Sequence, residues 1–268
     1  MKRRYQAFGL QIESDLCLPE LREGRSESPI DLLIEENPSL SAQDSSPERL
    51  WYSVEKLGSF LIEEGSRIQY RRDDGDEDTL RLIILGSCLG AVLQQRGLVV
   101  LHGNAVSQDG KSVQIIVGDK GAGKSTTAAW HYLKGDKILA DDVCAIMSGP
   151  DGMPVVLPGY PQLKLWQESA SLLGLSTEKL RRVRAEFEKY CLPIGDGFQA
   201  DPLPVTQVTE LSSDACDLSG VMKLTVLVKH SYRHYFLKRM GIESQYHRRL
   251  LELAGKIKVS RAPRMTLS

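Results

Sequence analysis

The sequence predicts a mixed α/β (α+β) protein: a core built around a phosphate-binding loop, preceded by a smaller β-rich N-terminal domain. Three observations carry this prediction. The glycine-rich stretch "GDKGAGKS" (Gly118–Ser125) lies between the apolar run "SVQIIV" and the helix-forming run "KSTTAAWHYLK". The acid pair Asp141-Asp142 follows only sixteen and seventeen residues after Ser125. Before residue 78, short β-prone runs alternate with Gly, Pro, Ser and acidic clusters.

Taken in order, "YQAFGLQI", "IDLLIEE", "RLWYSVE", "SFLIEE" and "RIQYRR" read as strands, and "REGRSESP" and "NPSLSAQDSSPE" as loops. After the turn "RRDDGDED", apolar residues recur at helical spacing from Asp78 to Arg96, with the acids at the helix start, where carboxylates complement its dipole. This places the domain boundary at 77/78, with domains 1–77 and 78–268. "GLVVLHGNAV" reads as a strand with His102-Gly103 near its end, "QDGK" as a hairpin turn, and "SVQIIV" as the strand feeding the glycine loop. The helix after the loop stops at Gly135, and "KILA" is a strand delivering the two acids. Beyond it, "MPVVLPGYPQLKLW" reads as turns and strands, "SLLGLSTEKLRRVRAEFEKY" as a helix with a glycine break, "MKLTVLV" as a core strand and "GIESQYHRRLLELAGK" as a helix.

Composition narrows the function. At 268 residues, 41% hydrophobic and 26% charged, the chain is ordinary for a globular protein and long enough for one large or two modest cores. A net charge of −1 argues against nucleic acid as a partner. Charge is uneven: Glu13–Asp78 holds 18 acidic against 7 basic residues, and Arg233–Arg264 holds 9 basic against 2 acidic. Five scattered cysteines without a CxxC pair suit reduced thiols, mostly buried, in a cytoplasmic protein. No apolar h-region marks a signal peptide, and "LIILGSCLGAVL" is too short to span a bilayer, so no membrane role is expected.

"GDKGAGKS" matches G-x-x-x-x-G-K-[ST] at each fixed position. Glycines let the backbone curl so that successive N–H groups face phosphate oxygens. Lys124 can reach the terminal phosphates, Ser125 can offer its hydroxyl to Mg²⁺, and the helix start adds partial positive charge. Lys120 reads as a solvated second cation. Two adjacent carboxylates at a strand end leave the backbone in different directions, so one can meet a metal while the other faces a nucleophile. Residue types alone do not choose between them. An acid beside a hydroxyl and a transferable phosphate is what a kinase base requires. His102 precedes the phosphate strand and is a further candidate for the site.

"LHGNAV", "GDKGAGKST" and "ILADDV", joined by one short helix, resemble the C-terminal catalytic domain of HPr kinase/phosphorylase, whose core is shared with phosphoenolpyruvate carboxykinase. "YQAFGLQIESDLCLPEL", "LPGYPQLKLW" and "HSYR" (230–233) resemble a bacterial group of HPr-kinase-like proteins found with peptide-modification genes. That group includes kinases of the C-terminal serine of lasso-peptide precursors. The resemblance implies an HPr-kinase-like P-loop core binding ATP and Mg²⁺, with a precursor peptide as acceptor. It implies phosphate binding by Gly118, Asp119, Lys120, Gly121, Ala122, Gly123, Lys124, Ser125 and Thr126. It puts Lys124 on the transferring phosphate, Ser125 and Asp141 at the metal, Asp142 at the acceptor proton, and His102 in the site. The family's metal-binding Glu has no matching motif here; Glu168 falls near its place. The catalytic arginine could be Arg181, Arg182, Arg184, Arg233 or Arg261, and "HSYR" favours Arg233. A small-molecule kinase and a nucleotide-binding regulatory module are the competing expectations, and oligomeric state stays open.

Overall fold

In a computed structural model, which describes residues 2–264, several sheets and short helices make a mixed α/β protein. The N-terminal strands are β1 (Arg3–Ala7), β2 (Leu10–Ser14), β3 (Arg22–Glu23), β4 (Leu32–Glu36), β5 (Arg49–Val54), β6 (Gly58–Glu63) and β7 (Arg67–Arg72). They form one seven-stranded sheet in the order β3-β1-β2-β4-β7-β6-β5. The run "YQAFGLQI" is a hairpin, because Phe8 and Gly9 both take positive φ (51° and 73°) in the two-residue turn that suits strand twist. Buried and half-buried residues alternate along β2 and β4, the mark of a sheet with one packed face.

Helices α1 (Glu77–Ile83) and α2 (Leu89–Gln95) are joined by one π-turn over Ile84–Cys88. Asp76 caps α1 by accepting from the Thr79 N–H at 2.8 Å. The remaining elements are β8 (Val99–Ser107), β9 (Val113–Val117), α3 (Lys124–Leu133), β10 (Lys137–Ala140), β11 (Val143–Ser148), β12 (Pro154–Leu157), β13 (Gln162–Trp166), α4 (Gln167–Leu172), β14 (Lys189–Pro193), β15 (Leu203–Leu211), β16 (Cys216–Asp217), α5 (Gly220–Lys229), α6 (His234–Met240), α7 (Glu243–Lys256) and β17 (Lys258–Ala262). An eight-stranded sheet runs β10-β8-β11-β12-β15-β17-β16, with β9 bonded to both β8 and β15. Strand β9 runs parallel to β15 and antiparallel to β8, and β13 and β14 make a separate hairpin. Helix α3 buries Ala128 and Ala129 among Val106, Ile116, Ile138, Leu163, Leu165 and Ile194, so sheet and hairpin residues share one core with it.

The chain divides into two units. The first takes the chain up to Val100 together with Arg233–His247, and the second takes Leu101–Tyr232 and the chain from Arg248 on. The division therefore falls later than 77/78 and is crossed twice more. Helix α2 packs on β6 and α6 on β5, so the helical segment and a C-terminal piece complete the N-terminal unit. Tyr246 stitches that unit internally: its hydroxyl donates to Val100 O at 2.7 Å and accepts from Val100 N at 3.1 Å.

Other expectations change as well. "SLLGLSTEKLRRVRAEFEKY" is not a helix: after α4 ends, residues 173–188 run through turns, and Lys189 and Tyr190 belong to β14. Arg182 lies over the Tyr190 ring and Arg184 over Phe187, so their partners come from a folded-back loop instead of a helix face. "MKLTVLV" is helical, within α5, and buries only Val226 and Leu227 of that helix, whereas Val221 is 77% exposed. A seven-residue apolar run does not by itself distinguish strand from helix. His102 sits in mid-strand, since β8 continues to Ser107. Strands β11, β15 and β17 were not foreseen. All five cysteines are free, three of them buried, but Cys216 is exposed. Among the described residues, no helix is long and apolar enough to cross a membrane.

Candidate functional site

The second unit assembles the glycine loop, the acid pair and His102 from four neighbouring segments. Strand β9 ends at Val117, the chain turns through Gly118–Gly123, and α3 begins at Lys124. Gly121 and Gly123 take φ of 83° and 96°, a left-handed conformation that side-chain-bearing residues rarely adopt. Gly121 is exposed, and a Cβ there would meet nothing within 4 Å. Over Gly123, by contrast, lies the Arg264 side chain, with its Nε 3.0 Å from where a Cβ would stand. Lys124 turns back over the loop, donating to Gly118 O at 2.7 Å and Asp119 O at 3.2 Å. Burial lowers its pKa, with Asp142 and Asp119 opposing. Lys120 is exposed, as expected of a solvated cation. Thr126 is buried and its hydroxyl is shared with Ser169 at 2.8 Å, which brings the start of α4, and with it exposed Glu168, close to the start of α3.

Asp141 and Asp142 are the two residues between β10 and β11. Val143 N–H donates to Asp141 O at 2.8 Å across Asp142, whose φ is 65°. This is the rare three-residue γ-turn, a strained geometry that sends the two carboxylates apart. The Asp141 side chain is buried, and both its oxygens are engaged: Oδ1 accepts from Asn104 Nδ2 at 2.6 Å and Oδ2 from Lys164 N at 2.9 Å. The Asp142 side chain keeps 24% exposure; its Oδ2 accepts from Lys164 Nζ at 3.0 Å, and Oδ1 has no hydrogen bond among the described residues.

Electrostatics separate the pair. Burial, reinforced by the neighbouring Asp142 charge, pushes Asp141 up to about 6. Burial acts on Asp142 as well, but Lys164, Lys189 and His102 outweigh it and hold that carboxyl well below the usual range. Lys164 is buried, yet the carboxylates raise its pKa above the usual lysine value against its own desolvation, so it stays charged. Its ammonium also donates to Tyr160 Oη at 3.4 Å. His102 Nδ1 lies 3.1 Å from Asp142 O. A carbonyl can only accept, so Nδ1 carries the proton, and burial together with Lys124 disfavours a second one.

A second network braces the loop from below. Val117, the last residue of β9, is in register with Glu210 on β15. Buried Glu210 accepts from Arg261 Nε at 2.8 Å, from Lys229 Nζ at 2.9 Å, and from His230 Nε2 at 2.9 Å. Burial alone would raise Glu210, but Arg261, His230 and Lys229 bring it down to about 2. Lys229 also reaches Asp119 Oδ2 at 3.0 Å, tying the loop to this carboxylate. His230 O in turn accepts from His102 N at 2.8 Å, and the Tyr232 ring lies 5.8 Å from that of His102.

The structure thus brings together His102, Asp141, Asp142 and the loop from Gly118 to Ser125. Arg233 belongs to the other unit, at the start of α6 with φ 45° and a hydrogen bond to Tyr235. Of "HSYR", His230 and Tyr232 are the residues that meet the site. Lys164, Asn104, Lys189, Glu210 and Arg264 were missed. Asn104 stood inside the quoted "LHGNAV" and Lys164 inside "LPGYPQLKLW", where a polar residue within an apolar run was the available signal; Lys189, Glu210 and Arg264 carried none.

No family model matches the chain, and no curated protein matches it. Among solved structures it is similar to the Hpr(Ser) kinase/phosphatase from Coxiella burnetii, at 11% identity and a TM-score of 0.36, over 61% of this chain and 85% of that one. A likeness that loose does not bear on residue roles.

Proposed function

We propose that the chain is an ATP-dependent kinase that transfers the terminal phosphoryl group to a serine hydroxyl of a peptide. The observation that carries this is the cluster in one unit of Lys124, at the glycine loop, with Asp142, Asp141, His102 and Lys164. A loop that only turned a strand into a helix would not need a half-buried lysine facing two carboxylates.

The residues fit a nucleotide and a divalent cation. Gly121 leaves open space beside the loop, and the Lys124 ammonium rests on the loop's own carbonyls, from which a phosphate oxygen could draw it. Ser125 Oγ has no hydrogen bond among the described residues, and Asp142 Oδ1 has none either. Ser125 Oγ, and the second lone pairs on the hydrogen-bonded oxygens of Asp141, are hard oxygen donors of the kind Mg²⁺ takes, which leaves Asp142 Oδ1 free of the ion. When bound, Mg²⁺ would neutralise charge developing on the phosphates.

The chain's own residues supply positioning and proton transfer. Loop amides and Lys124 hold the phosphates, and Arg264, lying over Gly123, is a cation available to the transferring group. The serine oxygen forms its bond to phosphorus as the bridging bond to ADP breaks, and its proton passes to Asp142 Oδ1. The open Oδ1 supports Asp142 in this role over Asp141, whose two oxygens each already accept a hydrogen bond although its higher pKa would suit a base better. A carboxylate held low in pKa is a weak base, which a loose transition state tolerates. Lys164 aims Asp142, and the proton on His102 Nδ1 pins the strained turn.

The peptide acceptor, a lasso-precursor C-terminal serine, rests on the resemblance of "LPGYPQLKLW" and "HSYR" to such kinases. The test is labelled ATP with a panel of peptides ending in serine and Asp142→Asn beside the wild type. The variant is expected to bind ATP but lose at least about 100-fold in transfer; near wild-type transfer would remove Asp142 from the reaction.

A further inference from the structure

Outside the loop and acid pair, three metal-binding side chains converge in the first unit: His234, Glu243 and His247. His234 opens α6, Gly241 with φ 70° ends it, and α7 begins at Glu243. Glu243 and His247 are four apart on α7, hence on one helix face. The corner between the helices lays that face against the first residue of α6. His234 Nε2 is 3.5 Å from His247 Nε2 and 3.3 Å from Glu243 Oε1, and the potential donor atoms of all three residues lie within 4.8 Å of one another.

We infer that these three residues form a binding site for a zinc-class transition-metal dication, separate from the nucleotide site. With metal–ligand bonds of about 2.0–2.1 Å, two donors of a tetrahedral ion stand about 3.3–3.4 Å apart. The two separations, 3.5 and 3.3 Å, are close to that size. The ring centroids are 5.7 Å apart and the planes 20° from parallel, so the centroid separation exceeds the nitrogen separation by almost two ring radii. The two Nε2 atoms therefore face each other across a gap, instead of the rings stacking face on face. Without an ion the two rings make a long N–H···N hydrogen bond, but one Nε2–H of His234 cannot point at both His247 Nε2 and Glu243 Oε1, so that bond does not explain why all three donors converge.

The chemistry also selects the class of ion. Arg233, Lys238, Arg239, Arg248 and Arg249 flank the ligands in sequence, so a hard cation held by charge alone is disfavoured. Two imidazoles and one carboxylate suit zinc, cobalt or nickel in preference to magnesium or calcium. His234 and Glu243 side chains are each 38% exposed, which leaves a remaining coordination position to water. An ion there would tie the start of α6 to the start of α7.

The test is Co²⁺ titration of the full chain, stripped with chelator and held in excess Mg²⁺ without nucleotide. One equivalent should bind with the intense visible absorption of four- or five-coordinate cobalt, be displaced by Zn²⁺, and raise the unfolding temperature. His234→Ala/His247→Ala should abolish the band and weaken binding at least about 100-fold. Glu243→Gln, which keeps size and removes charge, should weaken it less while leaving circular dichroism unchanged. Weak octahedral cobalt in the wild type would overturn the inference. So would a thiolate charge-transfer band, which would place the ion on a cysteine, or full binding by the double variant.

Discussion

Replacing Lys164 by Met tests whether charge, and not packing, holds the acid pair. The Lys164 side chain is 7% exposed, and Met fills much of the volume of its stem. What the variant loses is an ammonium 3.0 Å from Asp142 Oδ2 and 3.9 Å from Asp141 Oδ2. At 3.0 Å and an effective dielectric near 20, that attraction is about 5.5 kcal/mol. Lys189 and the partial exposure of Asp142 offset part of it, leaving an expected loss of about 3 kcal/mol at pH 7, the low end for breaking a buried pair. The pH dependence gives the sharper test. In the wild type the folded pKa of Asp142 is depressed, so its contribution is present above the unfolded value of about 3.9 and constant between pH 5 and 7. In the variant, burial beside Asp141 raises the folded pKa. Stability is then fullest below the unfolded value and is lost as pH rises through the folded one. Asp141, at about 6, already behaves this way in the wild type, and losing the Lys164 charge raises it further, so both acids move the deficit in the same direction. Urea unfolding at pH 5 and pH 7, followed by Trp fluorescence, should show the deficit shrinking on acidification. A deficit under about 1 kcal/mol at pH 7, or one equal at both pH values, would refute the electrostatic account.

Three further outcomes are expected. Tyr246→Phe removes the one hydroxyl that satisfies both Val100 N–H and Val100 O, and denaturant unfolding should show a loss of about 2–3 kcal/mol. Glu210→Gln should flatten the acid limb of the stability curve. With a folded pKa of about 2, Glu210 contributes above its unfolded value near 4.3, and this is lost as pH falls toward 2; an unchanged limb between pH 4.5 and 2 would count against the network. Gly121→Ala, at φ 83° with open space around it, should cost about 1 kcal/mol of loop geometry and raise the Kd for ATP while leaving circular dichroism unchanged.

Local signals were legible in the sequence because they depend on near neighbours. The glycine loop, Lys124 and Ser125 at the start of α3, the helix stop at Gly135 and the longer strands of the first 72 residues follow from spacing, capping and alternation within a few residues, whereas two-residue β3 fell in "REGRSESP", read as a loop. The short interval to Asp141-Asp142 placed the acids near the loop for the same reason: one helix and one strand leave little room for anything else. Short apolar or charged runs misled where burial, and not pattern, chose the structure. "MKLTVLV" lies in a helix with one buried edge, and residues 173–188 are turns held by ring contacts.

What the sequence by itself determined was the presence of a phosphate loop and two carboxylates in one short segment. Only the tertiary structure decided what each carboxylate can do. Asn104 and Lys164 reach the pair from 37 residues before Asp141 and 22 after Asp142, and Lys229 binds Asp119 from 110 residues away. Such partners are set by which strands lie side by side, and no local pattern encodes that. Asp142 is left with an open oxygen and a depressed pKa, and Asp141 with a raised pKa and both oxygens bonded, because a lysine from β13 and an asparagine from β8 meet at one strained turn.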